Sequence, residues 1–229
     1  ILYDFLFYNF TIRTLDLSSN EIEFVSNHTF TGLFGLKDLT MNANKLKTLN
    51  EIIYSITISQ IDTLDTLSFT SNQIESIDLE FSTNFRSLES INLEYNKIKN
   101  FDIINLASLP KLSNLYMRSN SIKHIKQTNL IDKSNIFSIE IHDSQVEKIE
   151  PNSFSFFNLA SYLDLSLNNI KTLERNTFKG LIELKNLKLE NNKIISMHED
   201  VFDDLQNLRY LYLTLESPNR QNDGFLIFK

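Results

Sequence analysis

The sequence has 229 residues, of which 41% are hydrophobic and 22% are charged, and it carries 29 acidic against 22 basic side chains. This composition is typical of a folded globular or repeat protein, and the net charge of -7 disfavours non-specific binding to nucleic acid or to anionic membranes. Because the chain contains no cysteine, disulfides, thiolate chemistry and cysteine-ligated zinc are excluded for these residues.

The first ten residues, "ILYDFLFYNF", are largely apolar but do not resemble a signal peptide. They start with Ile1 rather than Met, lack a basic segment and include Asp4. No stretch of the sequence approaches the roughly 18 consecutive apolar residues that a membrane span requires. We therefore expect a segment of a longer protein, whose targeting and anchoring signals lie outside these residues.

From Ile12 onward the sequence repeats the pattern L-x-x-L-x-L-x-x-N-x-I/L. Successive copies start 24 residues apart, with one interval of 28, which lies within the range of about 20 to 29 residues of one class of solenoid repeat. The copies start at Ile12, Leu36, Leu64, Leu88, Leu112, Ile136, Ala160 and Leu184, with an incomplete copy from Leu208. We expect residues 1–229 to form a single domain built from these copies.

The spacing within each copy predicts a short strand followed by a turn. The two leucines of the L-x-L pair are two residues apart, so both face inward while the residue between them faces outward. Strands of this kind stack side by side into a parallel sheet, and the Asn amide can satisfy backbone groups where the chain turns away. The pattern therefore predicts an α/β solenoid shaped like a horseshoe, with a parallel β-sheet on its concave side.

The second copy carries four extra residues within "NEIIYSITISQIDT", residues 50–63. The insertion follows the strand and Leu49, so we expect it on the convex side or at an edge. Its apolar side chains include Ile52, Ile53 and Ile56. This content predicts a packed flap rather than an exposed loop.

The sixth copy, "IFSIEIHDSQVEKI", departs from the pattern because Ser144 occupies the Asn position. His142 lies two residues before it, but a serine at this position should point into the turn, and no G-x-S-x-G motif or phosphate-binding loop accompanies it. We predict no catalytic residue here and no enzymatic activity. The serine hydroxyl can satisfy fewer turn groups than an amide, so this copy should be the weakest of the ladder.

A phenylalanine recurs eighteen positions after the start of several copies, and it predicts a stacked core on the convex side. These residues are Phe30, Phe154, Phe178 and Phe202, with Leu106 and Leu130 in two other copies.

The segments "NLASYLDLSLNNIKTLERNTFKGLIEL" and "LIELKNLKLENNKIISMHEDVFDDLQNL" follow this pattern almost throughout. The chain thereby resembles the "typical" 24-residue leucine-rich repeats of extracellular proteins, as in Toll-like, chaoptin-like and Slit-like ectodomains. The resemblance covers about residues 12–213 and implies non-covalent recognition of a protein ligand by a cell-surface receptor or adhesion protein. Its members usually carry cysteine-rich caps, which this sequence does not show.

The outward strand positions predict where a ligand would bind. The first four copies present small polar groups, whereas the later copies present aromatic and charged side chains on adjacent strands. Tyr and Arg are the residue types most enriched at interface hot spots. We name the following residues the concave patch and predict that they contact a protein partner: Tyr95, Tyr116, Arg118, Glu140, His142, Tyr162 and Asp164. An ordinary polar surface is the alternative interpretation.

Two other kinds of site are weakly indicated. Glu140, His142 and Asp164 could supply metal ligands, but two ligands on one strand do not make a site, and we predict no metal and no cofactor. The sequons "NFT" at Asn9 and "NHT" at Asn27 are candidate glycosylation sites, although two sequons arise readily by chance in an Asn-rich chain.

We therefore predict an extracellular or cell-surface domain that binds a protein ligand, is anchored through a segment outside these residues, and does not bind nucleic acid. Homodimerisation stays open. A cytoplasmic scaffold or adaptor is the alternative, and a third is the recognition part of a larger enzyme such as a receptor kinase. Flanking sequence with a signal peptide and cysteine caps would distinguish the first from the second, and only a downstream catalytic domain would show the third.

Overall fold

The computed structural model describes residues 1–57, 63–77, 85–100, 109–127 and 134–216, and its main element is one parallel sheet. Nine strands form it in the order β1-β2-β3-β4-β5-β7-β9-β11-β13. In chain order the strands are β1 Thr14–Asp16, β2 Asp38–Thr40, β3 Thr66–Ser68, β4 Ser90–Asn92, β5 Asn114–Tyr116, β6 His124–Ile125, β7 Ser138–Glu140, β8 Lys148–Ile149, β9 Tyr162–Asp164, β10 Thr172–Leu173, β11 Asn186–Ile194, β12 Ser196–Met197 and β13 Tyr210–Leu215.

The register of the sheet follows the repeat, so that each turn of the solenoid, here called a rung, contributes one strand at the same position. Leu39 pairs with Leu67, Leu67 with Ile91 and Ile91 with Leu115. These central strand residues are fully buried, while their strand neighbours are partly exposed. The predicted leucine-rich-repeat solenoid with a parallel sheet is confirmed, and the inward leucines form its core.

Each buried Asn of the repeat ties its own turn to the preceding rung. The Asn72 Nδ2 donates to the carbonyl of Phe69 at 3.1 Å and to that of Met41 at 2.9 Å, and its Oδ1 accepts from the Leu46 amide at 3.0 Å. The same three contacts recur at Asn44, Asn96, Asn120, Asn168 and Asn192. One amide thus satisfies three buried backbone groups, which explains the periodicity of this residue.

The residue before each Asn, and before Ser144 in the sixth copy, turns the chain away from the sheet through a positive φ. Its φ lies between 53° and 58° in eight rungs: Ser19, Ala43, Ser71, Tyr95, Ser119, Asp143, Leu167 and Asn191. This left-handed conformation places the side chain at the rim of the sheet rather than on its face. Tyr95 and Leu167 are consequently exposed, at 44% and 49%.

The convex side is built from turns, short strand pairs and stacked aromatic rings. Strands β6 and β8 pair, as do β10 and β12. The Phe178 ring lies 6.4 Å from that of Phe154 and 5.9 Å from that of Phe202, with small interplanar angles. This confirms a phenylalanine stack in the C-terminal rungs; Leu106 and Leu130 lie outside the described residues.

The insertion in the second copy forms α1, Asn50–Thr57, the single helix within the described ranges. Ile52, Ile53 and Ile56 of α1 are buried, so the predicted packed flap is confirmed for its described part. Ser55 is also buried, and its hydroxyl accepts a hydrogen bond of 2.7 Å from the amide of Phe30. The helix thereby closes over the preceding rung. No helix in the described part of the chain is long and apolar enough to cross a membrane.

Residues 1–11, which the repeat pattern did not include, form the second half of one more rung. Leu2 bridges Val25, and Thr11 bridges Phe34, in parallel orientation. The Phe7 ring stacks on that of Phe30 at 5.8 Å. The solenoid therefore begins before Ile12, and the assignment of all residues 1–229 to one domain stays a prediction, since residues 217–229 lie outside the described part.

Candidate partner-binding face

The concave face carries two columns of outward side chains, one from the residue between the two inward leucines of each L-x-L pair and one from two residues further on. The first column holds Asp16, Thr40, Ser68, Asn92, Tyr116, Glu140, Asp164, Lys188 and Tyr212. The second column holds Ser18, Asn42, Thr70, Glu94, Arg118, His142, Ser166, Glu190 and Thr214. Their positions follow from the register of the strands, which the sequence predicted.

In the N-terminal half of this face the polar groups bond to one another. The Asn42 Oδ1 accepts from the Ser68 hydroxyl and from the Thr70 amide, each at 2.8 Å. The Thr70 hydroxyl in turn donates to the Asn92 Oδ1 at 2.9 Å, and the Ser18 hydroxyl accepts from the backbone amide of Asn42. Small side chains with their hydrogen bonds already made leave little for a partner to bind.

The C-terminal half brings most of the concave patch together. Tyr116 pairs in register with Glu140, and Glu140 with Asp164, across β5, β7 and β9. Arg118 and His142 occupy the second column beside them, and Tyr162 is the first residue of β9. Tyr95 lies apart from these side chains at the rim, but the Arg118 guanidinium carbon lies 5.3 Å from the centre of its ring and links it to the face.

Asp164 is the buried centre of this half. Its Oδ1 accepts from the amide of Ser166 at 3.0 Å and from the Ser166 hydroxyl at 2.6 Å. Its Oδ2 accepts from the Tyr162 hydroxyl at 3.1 Å and lies 3.5 Å from the Lys188 Nζ. Burial acts to raise the pKa of the Asp164 carboxyl. The two hydrogen bonds from Ser166, together with the charges of His142 and Lys188, outweigh this effect, so the pKa is lowered. Asp164 is therefore an ionised, compensated carboxylate.

Lys188 completes this arrangement on β11. Its Nζ lies 5.4 Å from the centre of the Tyr162 ring. The hydrogen bond with Tyr162, followed by the Asp164 charge, raises the pKa of the Lys188 ammonium, and burial only partly opposes this effect. Lys188 occupies an outward position of the repeat pattern, but the predicted concave patch does not include it. The register rule that joined Glu140 to Asp164 would have found it one strand further on.

Glu140 differs from Asp164 because its carboxylate makes no hydrogen bond or ion pair with any described residue. Burial raises the pKa of the Glu140 carboxyl, and the charges of Asp164 and Glu94 raise it further against the opposing effects of His142 and Lys188. Burial, with the Glu140 and Glu94 charges, also raises the pKa of Tyr116. A partly buried carboxylate with a raised pKa and no ion pair within the described ranges is the kind of group that marks functional sites.

Three further polar atoms on this face are buried and have no hydrogen-bond partner within the described ranges: Arg118 Nε, His142 Nδ1 and Glu190 Oε2. The His142 Nδ1 lies 3.9 Å from the Asp164 Oδ2, which is too far for a hydrogen bond. All three belong to the second column. The C-terminal half of the face thus retains hydrogen-bonding capacity that the N-terminal half has used.

Ser144 lies inside the solenoid, as predicted. It is fully buried, and its hydroxyl is placed to donate to the carbonyl of Met117 at 3.1 Å or to that of His142 at 3.2 Å. The Ser144 hydroxyl also accepts from the backbone amide of Asn120 at 3.3 Å. These contacts assign it to the turn of its rung rather than to the concave face.

The remaining predicted sites lie elsewhere. Asn9 and Asn27 are both exposed near the N-terminal end, and the Thr29 hydroxyl of the second sequon donates to the carbonyl of Leu2. Among the residues that the structure describes, no three His, Cys, Asp or Glu side chains are grouped so that they could hold a metal ion.

The leucine rich repeat family matches residues 10–53, 62–122 and 158–215, which is more than two thirds of the chain. The sixth copy, with Ser144, falls between the second and third matched segments. No curated protein sequence matches the chain significantly.

Several solved structures share the fold. The TLR13–ssRNA13 complex is similar with a TM-score of 0.70 and 24% identity, over 90% of this chain and 33% of that one. The Drosophila Toll–Spatzle complex gives a TM-score of 0.72 with 16% identity, over 91% and 31%. An internalin (inlF) from Listeria monocytogenes gives 0.64 with 24% identity, over 90% and 56%. The chain therefore spans about a third of the first two structures.

Proposed function

Because the chain belongs to the leucine-rich-repeat family, we propose that it binds a protein ligand on the C-terminal half of its concave face. The contacting residues are those of the concave patch, together with Lys188 and Glu190, which complete the two columns on β11. Solenoids of stacked repeats use extended concave surfaces of this kind for recognition.

The observation that carries this proposal is the difference between the two halves of one face. Among the described residues, the N-terminal half bonds its polar groups internally, whereas the C-terminal half keeps three buried polar atoms without hydrogen bonds and one carboxylate, Glu140, without an ion pair. Buried polar groups without partners cost free energy, so a fold that retains several of them gains when a ligand satisfies them. Tyr116, Tyr162 and Arg118 add the side-chain types that dominate interface energies.

The finer proposal is that this domain belongs to the ectodomain of a receptor or adhesion protein, at the cell surface or in the extracellular space. It is supported by the similarity to the Toll and TLR13 structures, and the two exposed sequons are compatible with glycosylation at Asn9 and Asn27. Spatzle and ssRNA13 are the partners in those two structures, and neither is assigned to this chain. A cytoplasmic scaffold would use the same face, and flanking coding sequence would discriminate between the two.

The charge of the chain favours a protein ligand over a nucleic acid. Four carboxylates, at Glu94, Glu140, Asp164 and Glu190, face the concave side from β4 to β11, against the two permanent cations Arg118 and Lys188. Polyphosphate binding depends on clustered Lys and Arg side chains, and this face carries the opposite balance. Its open sheet also favours non-covalent recognition over catalysis, which needs an enclosed pocket.

A selection experiment tests the proposal. A phage-displayed random peptide library is selected on the immobilised protein, and the enriched peptides are measured against Tyr116→Ala, Arg118→Ala and, as a matched control, Tyr3→Ala. Tyr3 is 70% exposed at the other end of the solenoid. We expect the first two variants to weaken binding about tenfold, roughly the loss of one hot-spot contact, and the control to leave it unchanged. Peptides insensitive to both concave variants, or a single-stranded RNA that binds better than any peptide, would contradict the proposal.

A further inference from the structure

Within the concave face, one pair of strands shows how this protein holds a cation. The Lys188 ammonium lies 3.5 Å from the Asp164 carboxylate and 5.4 Å from the centre of the Tyr162 ring. A tyrosine face and a carboxylate thus act together on one positive charge, combining a cation–π contact with an ion pair.

Tyr116 and Glu140 present the same two groups on neighbouring strands. They are paired in register between β5 and β7, directly beside the pair formed by Glu140 and Asp164. The cations of the face are engaged elsewhere, since Arg118 lies over Tyr95 and Lys188 lies against Asp164. Within the described part of the chain, no Lys, Arg or His side chain forms an ion pair with Glu140.

We infer that Tyr116 and Glu140 form a subsite for a lysine or arginine side chain of the protein partner, with Glu140 as its anchor. This inference rests on the proposed function and adds the chemistry of the partner, which must present a basic residue to the middle of the concave face. Charge complementarity supports it, because Glu140 shares this half of the face with the carboxylates of Glu94 and Asp164, while the cations Arg118 and Lys188 lie against Tyr95 and Asp164.

The raised pKa of the Glu140 carboxyl agrees with this assignment. Burial is its main cause, and His142 and Lys188 only partly offset the effects of burial and of the neighbouring carboxylates. A cation bound at Tyr116 and Glu140 would favour the ionised form, so the pKa of Glu140 must fall when the subsite is filled. The free protein thus bears the cost of desolvating a carboxylate that a basic partner compensates.

A fragment titration tests the subsite without any knowledge of the partner. Butylguanidinium is added to the 229-residue chain labelled with ¹³C at the glutamate and aspartate carboxyl carbons and at the tyrosine ring carbons, and butylurea, a neutral analogue of similar shape, is the matched ligand control. We expect saturable shifts at Glu140 and Tyr116 with butylguanidinium only, and a lower pKa of Glu140 in its presence. Equal shifts with butylurea, or shifts at Asp164 without any at Glu140, would overturn the inference.

Two variants make the assignment specific. Glu140→Gln keeps the shape of the side chain and should weaken butylguanidinium binding about fivefold, the effect of losing one partly exposed ion pair. Glu183→Gln removes a carboxylate that is exposed outside the strands, and it should leave binding unchanged. Equal binding by the Glu140 variant and the parent would assign the cation to another group and refute the subsite.

The results separate the subsite from the proposed function. If selected peptides bind the concave face but lack basic residues and ignore Glu140→Gln, the face is a partner site and the cation subsite is wrong. If butylguanidinium binds at Glu140 while no selected peptide depends on Tyr116 or Arg118, the subsite stands and the proposed recognition of a protein fails.

Discussion

At the scale of single residues, Ser144 shows what one substitution changes in the repeat. Six other rungs have a buried Asn there, whose Oδ1 accepts from an amide of the preceding rung, as the Asn120 Oδ1 does from Ile98. For Ser144 the corresponding amide is that of Ile122 in the preceding rung, and this amide has no hydrogen-bond acceptor among the described residues. The Ser144 hydroxyl accepts from Asn120 instead, at 3.3 Å. The Ser144 rung therefore keeps the hydrogen bond to the Met117 carbonyl and lacks the one to the Ile122 amide.

Ser144→Asn should accordingly stabilise the protein, or at least leave its stability unchanged. The amide can keep the bond to Met117 and add an acceptor for the Ile122 amide, a gain of about 0.5–1.5 kcal/mol in the free energy of unfolding. Urea unfolding measures it. Ser144→Ala should lose stability in the same assay, because the Asn120 amide and the Met117 carbonyl both lose a partner. A clearly destabilised Asn variant would show that the rung has adapted to the smaller side chain.

Glu140→Gln should make the protein more stable at neutral pH even though it removes the proposed subsite. Burial raises the pKa of the folded-state carboxyl above its unfolded value, so ionisation costs stability as the pH rises through the interval between the two. The gain in the free energy of unfolding at pH 7 should be below about 1 kcal/mol, because the side chain is partly exposed. It should vanish below roughly pH 4, where both states are protonated.

The measurement is urea unfolding of the parent and the variant at several pH values from 3 to 8, with Glu183→Gln as the exposed control that shows no such trend. A variant less stable than the parent at pH 7 would mean that Glu140 has a structural partner. If Glu140→Gln is more stable than the parent and also binds butylguanidinium more weakly, Glu140 is a group retained for binding at the expense of stability.

At the scale of elements, the strands and their register could be predicted because the hydrophobic period alone specifies them. The L-x-L spacing defines which residues face inward, and stacking of identical rungs then fixes which residues become neighbours, such as Leu115 and Ile139. The helix α1 and the half-rung of residues 1–11 could not be predicted in the same way. Neither contains the strand and Asn that the pattern uses, and both are held by packing on the rungs beside them.

The candidate site was predictable in position but not in its pairing. The sequence placed Glu140 and Asp164 side by side and facing the concave side. It could not show that Lys188 forms an ion pair with Asp164 while Glu140 forms none with a described residue, because this depends on side-chain conformations across four strands. Long charged side chains reach over several neighbours, and their choice of partner is a tertiary property.

Ser55→Ala tests how the inserted helix is attached to the solenoid. The Ser55 hydroxyl accepts a 2.7 Å hydrogen bond from the amide of Phe30, and both residues are fully buried. Removing the hydroxyl leaves the amide buried without an acceptor, at a cost of about 1–3 kcal/mol. Amide hydrogen exchange should show lost protection at Phe30, with little change in β9 and β11. Tyr54→Ala is the comparison variant, because it removes the edge contact of the Tyr54 ring with His28 of the same neighbouring rung but keeps the Ser55 hydroxyl. An equal loss of protection at Phe30 in this variant would contradict a specific role for the hydroxyl.

At the scale of the whole molecule, contacts run between adjacent rungs, so its stability is a sum of rung and neighbour terms. The sheet, the Asn ladder and the phenylalanine stack each connect a rung to the next one. A change in one rung should therefore act on the rungs beside it and weaken with distance. We propose on this basis that residues 1–229 form one domain, in which the wild-type rungs unfold together because all neighbour contacts are intact.

Phe178→Ala should break this cooperativity. Phe178 is fully buried and stacks on Phe154 on one side and on Phe202 on the other, so its truncation should cost about 3–5 kcal/mol. The rungs beyond it, with β11 and β13, then have weaker contacts to the rest and should unfold first. Hydrogen exchange should show protection lost in β11 and β13 while β1 to β4 keep theirs, and urea unfolding should broaden or divide into two steps.

Phe202→Ala is the matched control, because Phe202 is only partly buried and stacks on Phe178 alone among the described rings, so its effect should be smaller. If Phe178→Ala instead lost protection equally in all nine strands of the main sheet, the nearest-neighbour description would be wrong and the domain would unfold only as a unit.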